Sequence, residues 1–275
     1  MADFSLEDLK TLRERLGTGM VETKNALVEA GGDLEKATEL LRLKGAKGNA
    51  KRADRSTSEG LVAAKENGTT TTLIELVCET DFVAKGERFV TLGDNVLDAA
   101  VAAGATTPDE ALAAPLNGST VADVISNEAA ILGEKIVLRR LAVLEADKFA
   151  IYLHKTNKDL PPQVGVVVGY SGDDAETARS IAQHISFADP QYLSREEVPS
   201  EVVETERRIV EEISRNEGKP EAALPKIIEG RVNGFFKQVV LPEQDYARDN
   251  KLSVASVLKD AGLTVAGFAR FKVGA

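Results

Sequence analysis

The chain has 275 residues, 43% of them apolar and 28% charged, with no tryptophan and a single cysteine, Cys78. At about one domain per 150 residues that is room for two domains, and the composition excludes intrinsic disorder and a long apolar membrane span. A formal net charge of -10 argues against a nucleic-acid binder, whose phosphate contacts need clustered lysine and arginine.

One thiol excludes an intrachain disulfide and fits a reducing compartment. The opening Met1 to Asp8 is acidic and lacks an apolar h-region, so no secretory signal is expected and the cytoplasm is the expected compartment. Ser5 with Asp8 then forms a capping-box pattern ahead of Leu6, Leu9, Leu12 and Leu16 at helical spacing, with Gly17 as the expected stop. A second helix is expected after Thr18, closing at Gly31-Gly32. A third follows the cap residue Asp33, with Leu34, Ala37, Leu40 and Leu41 on one face before Gly45. Such short helices read as a compact docking knob rather than a seat of chemistry. Lys44 to Arg55 (KGAKGNAKRADR) holds five basic residues, one acid and two glycines. It is open to two readings, a solvated linker or frayed helix end on one side and a nucleic-acid arm on the other.

Beyond this stretch the apolar period changes to two. Leu61 to Ala64 and Thr69 to Glu79 form an expected hairpin about Asn67-Gly68, a pair suited to the positive φ of tight turns. The strand runs directly into Thr80-Asp81-Phe82-Val83. Phe89, Leu92, Val96, Leu97, Ala100 and Val101 follow at helical spacing, another helix is expected from Thr120 to Leu132, and Ile136 to Leu144 alternates again with Arg139 and Arg140 on opposite faces. Strands at 149–154 and 163–170 and a helix at 174–187, with Ala178, Ile181, Ala182 and Ile185 on one side, repeat the order hairpin, turn, helix. This predicts an α+β fold with an internal duplication carried by element order rather than residue identity. Helices at 200–217 and 221–240, broken by Gly218-Lys219-Pro220, form an inserted antiparallel pair in which Val202, Ile209, Val210 and Ile213 face Leu224, Ile228, Phe235 and Val239. The helix at 254–258 and the strand at 264–273 then complete the second sheet.

Catalytic parts are scarce. Gly17-Thr18-Gly19 has no preceding strand, and Asn216-Glu217-Gly218-Lys219-Pro220 has proline where a phosphate loop has serine or threonine, so both read as helix termini. The histidines are His154 and His184 alone, and no HExxH or CxxC spacing occurs. Cys78 sits in an apolar alternation and reads as packed, and His184 lies on the border of an apolar stripe. With 44 acidic residues no carboxylate pair stands out as an acid and base. For the turn at Thr80 two readings stay open. Thr80 or Asp81 caps a helical turn while Phe82 and Val83 fold inward, or Phe82 is an outward aromatic anchor for a partner's pocket.

Thr80-Asp81-Phe82-Val83-Ala84 after a cysteine-ended strand resembles the signature of the bacterial elongation factor Ts family, nucleotide exchange factors of the GTPase elongation factor Tu. Leu12-Arg13-Glu14-Arg15, Gly17-Thr18-Gly19-Met20 and Lys24-Asn25-Ala26-Leu27 resemble that family's N-terminal module, and Glu229-Gly230-Arg231 and Gly267-Phe268-Ala269-Arg270-Phe271 its later segments. The resemblance implies a ubiquitin-associated-like helical module with the basic linker at 1–53, a core N-subdomain at 54–145, a core C-subdomain at 146–197 and 242–275, and an inserted coiled-coil hairpin at 198–241. It implies a binding factor without catalytic residues, cofactor, bound metal, nucleic-acid contact or membrane association. Thr80, Asp81, Phe82 and Val83 would push into elongation factor Tu carrying GDP and displace its magnesium, Lys24, Leu132 and His154 would add contacts, and the coiled coil would support homodimerisation. The competing expectation is a non-catalytic scaffold or adaptor with a helical docking module.

Overall fold

The computed structural model describes residues 4–16 and 18–275. At its start Ser5 and Asp8 exchange caps, Ser5 Oγ accepting from the Asp8 amide at 3.0 Å and Asp8 Oδ2 from the Ser5 amide at 2.8 Å. They open α1 (Leu6–Leu16); the expected stop, Gly17, lies outside the described residues. α2 (Met20–Glu29) and α3 (Leu34–Lys51) follow, the latter capped by Asp33, which accepts from the Glu35 and Lys36 amides. Leu9, Leu12, Ala26, Leu27, Ala37 and Leu41 form the buried cluster of these helices, while Leu6, on the same spacing, is exposed at the first position of α1.

β1 (Glu59–Asn67) and β2 (Thr70–Cys78) pair antiparallel with Asn67 opposite Thr70. The two-residue turn is therefore Gly68-Thr69, one position later than the Asn-Gly pattern suggests, and Gly68 alone carries the positive φ, 63°. Next come α4 (Asp81–Ala84), α5 (Glu87–Ala103), α6 (Pro108–Ala113), a ribbon of β3 (Pro115–Leu116) with β4 (Ser119–Thr120), α7 (Val121–Leu132) and β5 (Val137–Glu145). β6 (Lys148–His154), β7 (Val164–Ser171), α8 (Ala175–Ala188), α9 (Ser200–Asn216), α10 (Leu224–Val239), a ribbon of β8 (Asp245–Tyr246) with β9 (Asp249–Ser253), α11 (Val254–Asp260) and β10 (Thr264–Lys272) complete the chain.

Among the described residues the longer strands make two antiparallel three-stranded sheets, ordered β1-β2-β5 and β10-β7-β6. Each is a hairpin, a helix and a later strand that joins the hairpin's second strand, so the repeat expected from element order is a repeat of topology. The central strands β2 and β7 are buried nearly throughout, as strands covered on both faces must be. Ile74, Leu76 and Cys78 face Phe89, Val96 and Ile125, and Val166, Val168 and Tyr170 face Ile181, Ile185 and Leu258. The opposite faces of the sheets meet each other. At Gly165 a side chain would sit 3.0 Å from both Leu73 Cδ1 and Val62 Cγ2, so the absence of one lets the layers approach.

Three further expectations are corrected. Arg139 and Arg140 do not point apart, because a bulge in β5 leaves Arg139 without a cross-strand partner while Arg140 pairs with Glu75. Both guanidinium groups consequently reach the fully buried Glu75, Arg140 Nε at 2.5 Å and Arg139 Nη1 at 3.5 Å. The Lys44 to Arg55 stretch is no linker over most of its length, since α3 runs through it to Lys51 and lies on α7. Asn49 Nδ2 donates to Ser126 O and Oγ at 2.8 and 2.9 Å, and a Cβ on Gly45 would be only 3.1 Å from Ala130 Cβ. Of the two glycines that suggested flexibility, Gly45 serves this close helix crossing, whereas Gly48 faces the Arg52 side chain of its own helix. In the α9–α10 pair the packed residues are Val210, Leu224, Ile228 and Val232 with Val203 and Phe236. Val202, Ile209 and Ile213 are instead on the exposed side, because the stripe is rotated from the expected face.

Candidate partner-binding site

β2 delivers the chain into the buried Cys78 and then out of the sheet. Thr80 is extended, with φ -124° and ψ 156°, and its Oγ1 accepts from the Val83 amide, which makes it the cap of the single-turn helix α4. Capping and outward display are therefore combined. Ala84 is fully buried and Val83 packs on the first core, whereas the Phe82 ring is 75% exposed. Lys85 Nζ lies 4.4 Å from the Phe82 ring centroid and 3.6 Å from Asp81 Oδ2, restricting the ring and the carboxylate from the same side.

A carboxylate from elsewhere in the chain holds the base of the turn. Glu134, two residues past α7, accepts from the Glu79 and Thr80 amides through Oε2, both at 3.0 Å, and from the Thr80 hydroxyl through Oε1. In return Glu79 Oε1 accepts from the Lys135 amide at 2.7 Å, and Arg55 Nη1 reaches Glu79 Oε2 at 3.2 Å. The Cys78 thiol donates to Thr80 O at 3.3 Å. Burial, reinforced by the charges of Glu134 and Glu59, pushes it up to about 12.

The other residues named from the sequence are distributed over the molecule. Leu132 ends α7, partly buried against the same core as Val83 and two residues before Glu134. Lys24 is exposed on α2. His154 is exposed at the end of β6, where Nδ1 shares a 3.0 Å hydrogen bond with the Tyr152 hydroxyl. Only Leu132 shares the turn's core, with Lys24 on the helical cluster and His154 on the second sheet. Glu134 went unnamed in the sequence because it is 54 residues from Thr80, and a lone acid after a Leu-Gly helix end carries no local signal.

The second histidine has a structural place. His184 is buried, its Nδ1 accepts from the Ala247 amide at 3.1 Å, and its Nε2 donates to Gln244 Oε1 at 2.8 Å. That pairing selects one neutral tautomer, and burial lowers its pKa below the ordinary 6.5. Among the described residues no group of three or more His, Cys, Asp or Glu is arranged to hold a metal ion. No helix among them is long and apolar enough to cross a membrane.

What the turn offers is a fixed apolar surface with a carboxylate beside it. A family model described as Elongation factor TS matches residues 79–275, from the base of that turn to the last strand. The chain is 76% identical to Elongation factor Ts of Leifsonia xyli subsp. xyli over 276 residues, covering all of both chains. It is 70% identical to Elongation factor Ts of Clavibacter sepedonicus and 52% identical to that of Tropheryma whipplei, again over the full length of each. This similarity defines a translation elongation factor. Within that class the chain belongs to the elongation factor Ts family.

Proposed function

We propose that this chain binds elongation factor Tu carrying GDP and promotes release of the nucleotide, inserting the Thr80 to Val83 turn and displacing the partner's magnesium so that GTP can rebind. The observation that carries this reading is the exposed Phe82 ring on a turn whose backbone is tied down on both sides. An aromatic ring presents large apolar area with few rotors, so holding it in place before contact lowers the entropy lost on binding. Asp81, next to the ring, brings negative charge toward a site organised around a cation. Magnesium offsets diphosphate charge, so dislodging it weakens nucleotide binding. By linkage, bound nucleotide weakens the hold of this chain by the same factor. No bond-making group is required of the factor, which acts as a binding protein rather than an enzyme.

In this reading residues 1–53 are a ubiquitin-associated-like module, 54–145 and 146–197 with 242–275 are related core subdomains, and 198–241 is a coiled-coil hairpin. Lys24, Leu132 and His154 supply further contacts, one on each of the helical cluster, the first core and the second sheet. The half-exposed Val202, Ile209 and Ile213 support homodimerisation through the hairpin, which sedimentation of wild type against Ile209→Lys would test. The site of action is the cytoplasm.

Release of fluorescent GDP from elongation factor Tu, followed with wild type and Phe82→Ala, tests the reading. We expect the variant to fold normally and to lose most of the stimulated rate. Equal rates for the two proteins would reject the wedge.

A further inference from the structure

We propose that Glu134 is a positioning residue for exchange, holding the turn so that Phe82 projects in a fixed direction; this rests on the reading of Phe82 given above. A four-residue helix cannot maintain itself, because one hydrogen-bonded turn does not offset the cost of nucleation. α4 has that length. Its orientation must come from what grips its ends. Downstream the grip is burial of Ala84 and packing of Val83, and upstream it is Glu134.

The proton directions form a chain. Glu134 Oε1 accepts a hydrogen bond from the Thr80 hydroxyl, which leaves a Thr80 Oγ1 lone pair for the Val83 amide, while Oε2 accepts from the Glu79 and Thr80 amides just beyond the sheet. One carboxylate thus fixes the backbone before Phe82 directly and the backbone after it through Thr80. The return bond from the Lys135 amide to Glu79, and the bonds from Lys135 Nζ to Ala53 O and Arg55 O, keep Glu134 itself from drifting. Glu134, Glu79 and Lys135 need not touch the partner themselves. Loss of the carboxylate frees the ring to sample other directions, and small misplacements of a working group are costly in rate.

The test is a double-mutant cycle on the full-length chain, measured as stimulated GDP release from elongation factor Tu, with urea unfolding of each variant alongside. We expect Glu134→Ala to slow release about tenfold. Glu134→Gln keeps an oxygen for the two amides but faces Thr80 Oγ1 with N–H, and should slow release about two- to threefold. In the Phe82→Ala background neither substitution should slow release further, since there is no ring left to aim. With release read at factor concentrations where Phe82→Ala still stimulates above the basal rate, a general loss of folding would multiply through and would not produce that non-additivity. If Glu134→Ala does not fold, the Glu134→Gln cycle decides by the same criterion. Full multiplicative loss in the Phe82→Ala background, or unchanged release by the Glu134 variants while Phe82→Ala is impaired, overturns the role of Glu134 and leaves the exchange reading standing. Phe82→Ala equal to wild type removes the exchange reading itself.

Discussion

Removing Arg140 should harm this fold more than removing the acid it pairs with. Glu75 has no exposed side-chain surface, whereas the Arg139 and Arg140 side chains are 31% and 34% exposed. Arg140→Met leaves a buried carboxylate with only the 3.5 Å contact to Arg139, and a stranded buried charge costs about 3–5 kcal/mol. The remaining arginine places the expected loss at the low end, about 3 kcal/mol. Arg140 also donates from Nη2 to Lys272 O at 2.8 Å and stacks 4.6 Å from the Phe271 ring centroid, so the loss includes a tie between the sheets. Glu75→Met leaves two cations that can turn to water, for about 1 kcal/mol. At roughly 2–4 °C per kcal/mol the expected Tm decreases are about 6–12 °C and about 2–4 °C. The double variant should be more stable than Arg140→Met, because no buried charge is left unpaired, yet less stable than Glu75→Met, because the tie to Lys272 and Phe271 is gone. Urea and thermal unfolding by circular dichroism read all three. A larger loss for Glu75→Met than for Arg140→Met would refute the asymmetry.

With its thiol pushed up to about 12 by burial, Cys78 should react with a thiol reagent at pH 8 far more slowly in the native protein than in urea, since only about one molecule in ten thousand carries the thiolate; equal rates would contradict the packed assignment. His184 is held below 6.5 by burial, so the unfolded chain gains its proton first as pH falls. Its contribution to stability is complete above about 6.5 and declines below that, and the urea midpoint should drop between pH 7 and 5.5 more in wild type than in His184→Asn. Gly60→Ala should lower stability by more than about 3 kcal/mol or abolish soluble expression. Gly60 has φ 151°, and a Cβ there would lie 2.2 Å from Leu76 O in the adjacent strand; a soluble variant with an unchanged urea midpoint would refute this.

Much of the architecture was legible because it rests on local rules. The Ser5–Asp8 box, the caps Asp33 and Thr80, the helix starts at Thr120 and Asp174, and the buried stripe Ala178, Ile181, Ala182 and Ile185 all depend on neighbours within about one turn. The turn at Thr80 was legible as a capped turn but not in its display, since period and propensity do not say which side of a single turn meets a core. Basic charge and glycine in Lys44 to Arg55 suggested solvent, yet glycine is also what a tight helix crossing requires. That choice depended on Ser126 and Ala130 lying opposite.

Read alone, the chain determined the order of its longer strands and helices, the repeated α+β plan, the first caps and the ordered motifs shared with elongation factor Ts, because each is written within a few consecutive residues. Tertiary structure decided which side Arg139 takes, which stripe of α9 is buried, how α3 lies on α7 and which carboxylate holds the Thr80 turn. Those outcomes depend on bulges, crossing geometry and bonds between distant segments, whose partners meet only after the chain has folded back on itself.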